Sequence, residues 1–303
     1  MNGPSRHAGA VTLGLLMDRA VGEPPAVLHP VRWFGSAMGS VERLTWADDR
    51  THGVGYLLLG VGLGAAAGRE VRSTAVAVWL VVAGRGLRRV ARRIGDAAAG
   101  GDLDGARAGL PSLVGRDPRE LDEAGIAAAV IESVAENSVD AVIAPVFWAV
   151  VGGTPGAYMY RAINTMDAMV GHRSERHRDF GWAAARTDDL ANYVPARLFA
   201  LLVAMVRPRR ARAVASLIRR DAGAHPSPNA GVAETAIAAA LERRVGGPLR
   251  YGERVELRPV LGDGPRPTAA DIPDALAISH RVELLVTAVL AVSGLLHIVR
   301  SDR

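Results

Sequence analysis

The stretch Ile131-Glu132-Ser133-Val134-Ala135-Glu136-Asn137-Ser138-Val139-Asp140 runs directly into Ala141-Val142-Ile143-Ala144-Pro145-Val146-Phe147-Trp148-Ala149-Val150-Val151. Glu132, Glu136 and Asp140 recur at i, i+4 and i+8. On an α-helix each step of four residues drifts by about 40°, so this spacing sets three carboxylates along one face. Like charges so placed repel one another. A solvated surface helix tolerates such a stripe. Carboxylates leading straight into an apolar run are costly at membrane depth and serve function there. A divalent cation relieves the repulsion, and an oxygen-rich acidic set suits Mg²⁺ when a phosphate shares the ion. Gly152-Gly153-Thr154-Pro155-Gly156 then breaks the helical pattern.

Outward from this stretch the chain reads as mainly α: a polytopic integral membrane helical protein with polar, motif-bearing helices and loops. Apolar runs lie at Val54 to Ala67, Ala75 to Gly84 and Leu284 to Val299. A span needs roughly 20 residues, so these runs rely on flanking arginines that snorkel or on cover by protein. The expected organisation is one membrane domain over 1–303, with spans near 54–68, 74–84 and 283–299 and a motif core at 114–252. Val139 to Val151 and Leu198 to Val206 are short for spans. Asp117-Pro118 has the form of a helix start. Val255 to Val260 is the one candidate strand.

All 36 basic side chains are Arg, because the 303-residue chain has no Lys, and it has no Cys. That removes a P-loop lysine, a Schiff-base lysine and a thiolate nucleophile. It also removes disulfides, zinc fingers and cysteine-held iron–sulfur clusters. A net charge of +5 and a pI of about 10.3 would suit nucleic acid. Beside 49 % hydrophobic residues and a mean hydropathy of +0.14, they suit a membrane protein with arginines flanking its spans. One basic run holds Arg85, Arg88, Arg89, Arg92 and Arg93; another holds Arg207, Arg209, Arg210, Arg212, Arg219 and Arg220. The positive-inside rule puts both on the cytoplasmic side. No aromatic residues interleave with them, which argues against nucleic acid.

Three further polar clusters follow. In Tyr160-Arg161-Ala162-Ile163-Asn164-Thr165-Met166-Asp167, Asn164 and Asp167 share a helix face. Arg161 and Arg173 bracket them with forks that fit phosphate or carboxylate. In Arg186-Thr187-Asp188-Asp189-Leu190-Ala191-Asn192, Asp188 and Asn192 share a face; this is a divalent-metal pattern or a capped, solvated first turn. His225-Pro226-Ser227-Pro228-Asn229 is a rigid turn before a helix. It cradles an anion or simply caps that helix.

Taken in order, the blocks resemble one family, the CobD/CbiB adenosylcobinamide-phosphate synthases of cobalamin biosynthesis. The matching residues are Gly22-Glu23-Pro24-Pro25 with His29-Pro30-Val31, Val114-Gly115-Arg116-Asp117, Glu132 to Pro145, Gly152 to Gly171, Phe180 to Leu198, Ser227 to Gly231, and Gly246-Gly247-Pro248 with Tyr251-Gly252. The family pattern often has Gly-Tyr-Lys where this chain has Gly171-His172-Arg173.

The resemblance implies a multi-pass inner-membrane ligase with its active site facing the cytoplasm. It would join adenosylcobyric acid, through a free propionate, to (R)-1-aminopropan-2-ol or its O-phosphate, using ATP and Mg²⁺. On this resemblance Glu132, Glu136, His29 and His225 are the catalytic candidates. Arg161, Asn164, Asp167, Arg186, Asn192, Arg197, Ser227 and Asn229 are the substrate-binding candidates. Asp140, Asp188 and Asp189 are the metal candidates. The implied partners are the corrinoid, the amine and the lipid bilayer, with no nucleic acid; self-association and contact with other corrin-pathway enzymes are compatible. No Walker motif or glycine-rich nucleotide loop is present, so ATP use rests on the resemblance and on thermodynamics.

Two other classes compete. A cation or corrinoid transporter also carries intramembrane carboxylates, but no inverted repeat is visible. A non-catalytic scaffold of the corrin pathway has no need of acidic residues at helical spacing. Because ATP is cytoplasmic, the motif clusters must reach one side. Val139 to Val151 is therefore expected to be re-entrant or packed inside the protein, with Pro145 and Gly152-Gly153 allowing the bend.

Overall fold

A computed structural model describes residues 5–115, 117–171, 174–251 and 254–301. In chain order the helices are α1 (Ser5–Val21), α2 (Pro30–Thr45), α3 (Arg50–Glu70), α4 (Thr74–Val81), α5 (Gly84–Ala99), α6 (Leu103–Gly109), α7 (Glu123–Ser138), α8 (Ala144–Val170), α9 (Trp182–Val206), α10 (Ala211–Asp221), α11 (Ala230–Leu241) and α12 (Ile272–Ser301). Among the described residues the strands are confined to one antiparallel hairpin, β1 (Arg244–Tyr251) with β2 (Arg254–Gly262). The chain is mainly α, and the candidate strand at 255–260 lies in β2. Its partner β1 contains Gly246-Gly247-Pro248, residue types depleted in strands, and the register shifts between Gly246 and Pro248.

Among the described residues three helices are long and apolar enough to cross a membrane: Glu123–Val170, Trp182–Val206 and Ala269–Arg300. They mark the chain as a membrane protein. The 283–299 run does lie in such a helix. The 74–84 run is α4, whose eight residues make about 12 Å of helix against a hydrocarbon core of about 30 Å. The 54–68 run lies in α3, a helix of 21 residues. The short-looking runs at 139–151 and 198–206 belong to longer helical segments; in α9 polar residues such as Asp188, Asp189, Asn192 and Arg197 continue the helix before the apolar run.

The fold divides into two compact units. The first comprises Met1–Ala83, Asp140–Asn192 and Val286–Arg303; the second comprises Gly84–Val139 and Tyr193–Leu285.

In the first unit α3 packs along α8 through a seam of glycines. A Cβ on Gly60 would sit 2.3 Å from Met166 Sδ, one on Gly64 2.9 Å from Ala162 Cβ, and one on Gly68 2.7 Å from Pro155 Cα. Small residues at i, i+4 and i+8 let two backbones approach where only van der Waals contact drives association. Asp49 caps α3 by accepting from the His52 amide at 3.0 Å. Met38, Tyr56, Met166, Val170 and Phe180 fill the core beside this seam.

In the second unit α7 is buried on all faces from Gly125 to Ala135, as a core helix must be when it is apolar all round. It packs against α5, α11 and β1. Gly95 lets α5 approach α12, since a Cβ there would lie 2.9 Å from Ile272.

Candidate functional site

Two prolines shape the polar cluster of the first unit. Pro145 has no N–H to give the carbonyl four residues back, that of Ala141. That carbonyl accepts from the Ala83 amide instead, at 3.0 Å. Between Asp140 and Pro145 the chain winds through a π-helical turn, Val139–Ile143, an element frequent at functional sites. Pro195 repeats the device in α9. The Ala191 carbonyl, deprived of its helical donor, accepts from Trp148 Nε1 at 3.1 Å. The bend expected at Gly152-Gly153 is found at Gly153, with φ 62° and ψ −151°. Residues 141–146 are buried, as packing inside the protein requires.

These features bring Asp140, Asn164, Asp188 and Asn192 into one network. Asn164 Nδ2 donates to Asp140 Oδ2 at 3.2 Å and to Asp188 Oδ1 at 3.4 Å. Asn192 Nδ2 donates to Asp188 Oδ2 at 2.9 Å. Both amides are oriented by donors on their oxygens: Arg161 gives to Asn164 Oδ1 at 3.2 Å, and the Tyr160 hydroxyl to Asn192 Oδ1 at 2.9 Å. Arg161 also donates to the Asp140 carbonyl at 3.5 Å. Its Nε is buried with no hydrogen-bond partner among the described residues. Arg161 further lines a cavity of about 90 Å³ with Phe34, Tyr158 and Thr165. The cluster therefore holds two carboxylates and one half-buried cation whose Nε has no hydrogen-bond partner among the described residues.

The donor chemistry fits a magnesium ion that arrives with a phosphate. Mg²⁺ takes one or two carboxylates and fills its remaining positions with water and phosphate oxygens. Asp140 and Asp188 supply that pair. Among the described residues no group of three or more His, Cys, Asp or Glu side chains is placed to hold a metal. A closed protein cage is thus not what the cluster offers.

The other sequence candidates of this unit lie elsewhere. Asp189 pairs with Arg186 at 3.8 Å, and Arg186 is 63 % exposed. Asp167 sits where Gly171 makes room for it, since a Cβ on Gly171 would lie 1.9 Å from Asp167 Oδ1. His29 is buried with Nε2 3.5 Å from Glu23. Arg173, His172 and Arg116 lie outside the described residues.

The three acids read as a stripe have different surroundings. Glu132 is buried and accepts from the Gly246 amide at 2.7 Å, Glu136 is exposed, and Asp140 belongs to the π-helical turn.

The second unit gathers the remaining candidates around the start of α11. Arg197 donates to Asn229 Oδ1 at 2.9 Å and to the Pro228 carbonyl at 3.2 Å, and its guanidinium lies 3.5 Å from the Tyr193 ring centroid. Ser227 Oγ accepts from the Asn229 and Ala230 amides at 3.3 and 3.2 Å, a local side-chain-to-backbone turn that leads into α11. His225 Nδ1 lies 3.1 Å from the Ser227 amide, and its Nε2 lies 3.3 Å from Arg258 and 3.9 Å from Glu234.

Asp221 ties this unit to its hairpin. It accepts from the Gly262 amide at 2.9 Å and from Arg220 Nη2 at 2.9 Å. The Arg220 guanidinium holds the Asp221 carboxyl below the usual carboxylate range; burial opposes this and the Gly262 amide adds to it. Asp221→Ala strands a buried N–H, so a loss of about 1–3 kcal/mol is expected at pH 7. A depressed carboxylate stabilises above its unfolded pKa of about 3.9, and the stability is lost as pH falls through the folded value. Thermal unfolding in detergent should therefore show the penalty at pH 7 and show it shrinking below about pH 4. A penalty that does not change with pH overturns the assignment.

Tyr160, Trp148, Gly246 and Arg258 were not among the sequence candidates. For Trp148 a signal existed: any mid-helix proline leaves a carbonyl that needs an outside donor.

The comparisons with known proteins agree with the residue blocks. The CobD/Cbib protein family matches residues 11–279. A protein named Cobalamin biosynthesis protein CobD from Mycobacterium tuberculosis is 47 % identical over 299 residues, covering 94 % of this chain and 95 % of that one. Proteins of the same name from Rhodobacter capsulatus and Brucella suis are 39 % and 37 % identical. The first covers 95 % of this chain and 98 % of its own length, the second 94 % and 96 %. No solved structure matches the chain. With its family signature over most of the length and relatives matched nearly end to end, the chain belongs to the CobD/Cbib protein family.

Proposed function

We propose that this chain is an ATP-dependent amide ligase of cobalamin biosynthesis, set in the inner membrane with its site facing the cytoplasm. It would join the free propionate of adenosylcobyric acid to (R)-1-aminopropan-2-ol or its O-phosphate. The names of its relatives support the pathway. The observation that carries the reaction class is the Asp140–Asn164–Asp188 network beside Arg161 and its unused Nε.

A carboxylate does not acylate an amine directly, because its leaving group would be oxide. Phosphorylation by ATP, a co-substrate here, supplies a phosphate leaving group. The bound ammonium first gives one proton to a carboxylate; the free amine then forms the C–N bond, phosphate departs, and a second proton leaves the nitrogen. Arg161 suits the anionic partner, whether propionate or phosphate, through a fork fixed by Asn164 and the Asp140 carbonyl. Asp140 and Asp188 suit the amine: they attract its ammonium form and accept its proton. Asn164 and Asn192 hold the two carboxylates in place without adding charge. Magnesium, when bound with ATP, would neutralise phosphate charge.

The test is reconstitution of the full chain in detergent or liposomes with adenosylcobyric acid, ATP, Mg²⁺ and aminopropanol phosphate. Amide product and ADP in equal amounts are expected. No product and no ATP turnover would favour a scaffold, and corrinoid movement without chemistry would favour a transporter. Orientation has its own check. A reporter inserted near Thr154 should prove cytoplasmic; a periplasmic signal overturns that part of the proposal.

A further inference from the structure

Helix α5 carries Arg85, Arg88, Arg89, Arg92 and Arg93 along one face, and all five line a single cavity of about 510 Å³ in the second unit. Its other wall is the first two turns of α12, where Pro273, Leu276 and Ala277 give an apolar floor. Two acids bear on this set: Glu283 pairs with Arg88, and Asp96 lies at the far end of the Arg row. Three cations remain in excess. Among the described residues Arg89, Arg92 and Arg93 are exposed and have no acidic partner. Like charges at i, i+3 and i+4 destabilise a helix by about 0.2–0.5 kcal/mol per pair. An anion in the cavity relieves that repulsion. The volume falls in the range of about 300–1,000 Å³ typical of ligand pockets, well beyond the need of one small anion. Guanidinium forks match phosphate oxygens in pairs.

We propose that this cavity binds a ligand carrying two or more phosphate groups, held by Arg89, Arg92 and Arg93. The proposal stands apart from the Asp140–Asp188 cluster and does not depend on the amide-forming reading. A soluble polyphosphate, such as the chain of a nucleoside triphosphate, offers this chemistry. So does the headgroup of a diphosphate phospholipid, because the apolar run of α12 begins only a few residues beyond the cavity, at Leu284.

The experiment uses the full chain purified in a neutral detergent, the variant R89Q/R92Q/R93Q, and a charge-matched control, R209Q/R212Q/R219Q, at exposed positions outside the cavity. One arm measures the Kd of inorganic tripolyphosphate by calorimetry. The other compares retention in phosphatidylcholine nanodiscs with and without cardiolipin by native mass spectrometry. The expected result is that one ligand binds at least about tenfold more weakly to the cavity variant, with the control unchanged; a single charge-assisted bond of about 1.5–3 kcal/mol corresponds to that factor or more. Loss in the tripolyphosphate arm identifies a soluble ligand, and loss in the cardiolipin arm identifies a lipid. The single variant R92Q guards against misfolding and should weaken the same ligand by a few-fold. The proposal is overturned if neither ligand distinguishes wild type from the cavity variants, or if the control loses as much.

Discussion

Asp188→Asn lowers the rate of amide formation by about 10²–10⁴-fold, the range for losing a positioned proton acceptor, while the protein still folds. Asp188 accepts from both amides, taking Asn164 on Oδ1 and Asn192 on Oδ2. An asparagine in its place has one oxygen and one NH₂. One of the two amide donors then faces another donor, and that lost bond costs about 1–3 kcal/mol. The rate loss is far larger than such a destabilisation explains, because the negative charge that draws the ammonium group and takes its proton is gone. Asp188→Glu keeps the charge and shifts its position, so it should recover part of the rate. The measurements are initial rates of amide product in reconstituted enzyme and thermal unfolding in the same detergent. A variant within threefold of wild type removes this cluster from the chemistry.

The contrast between Glu132 and Asp140 shows what could be read in advance. Helical class was legible because apolar runs are continuous and alternating β-branched patterns are scarce. The i, i+4 pairs Asp188 with Asn192 and Glu132 with Glu136 were legible as local geometry. That Asp140 sits in a π-helical turn was not, because periodicity assumes a constant 3.6 residues per turn. The meeting of Asn164 with Asp188 depends on α8 packing beside α9, which residue spacing within one helix does not encode. The packing of α3 along α8 was likewise not legible from run length, because it rests on the glycines at 60, 64 and 68. The Ser227 turn was legible as a turn: its hydroxyl accepts from the Asn229 and Ala230 amides just ahead of α11.

Arg161→Lys raises the KM for the anionic substrate by about 10–100-fold, as expected for a lost charge-assisted bond of about 1.5–3 kcal/mol. Charge is conserved in this exchange, so the effect isolates geometry. Arg161 spends Nη1 on Asn164 Oδ1 and on the Asp140 carbonyl, and keeps Nε in reserve. A lysine ammonium is a point charge whose donors share one nitrogen. It either holds Asn164 or reaches the ligand. If it leaves Asn164, the amide is free to turn, and the donor that links Asp140 to Asp188 is lost with it. Lysine should therefore lower kcat as well as raise KM, whereas Arg161→Gln, which lacks the charge, should lower kcat/KM further still. Initial rates over a range of adenosylcobyric acid and of aminopropanol phosphate separate the two substrates. A KM effect confined to one of them identifies which anion Arg161 holds, and a lysine variant with unchanged KM for both places the binding cation elsewhere.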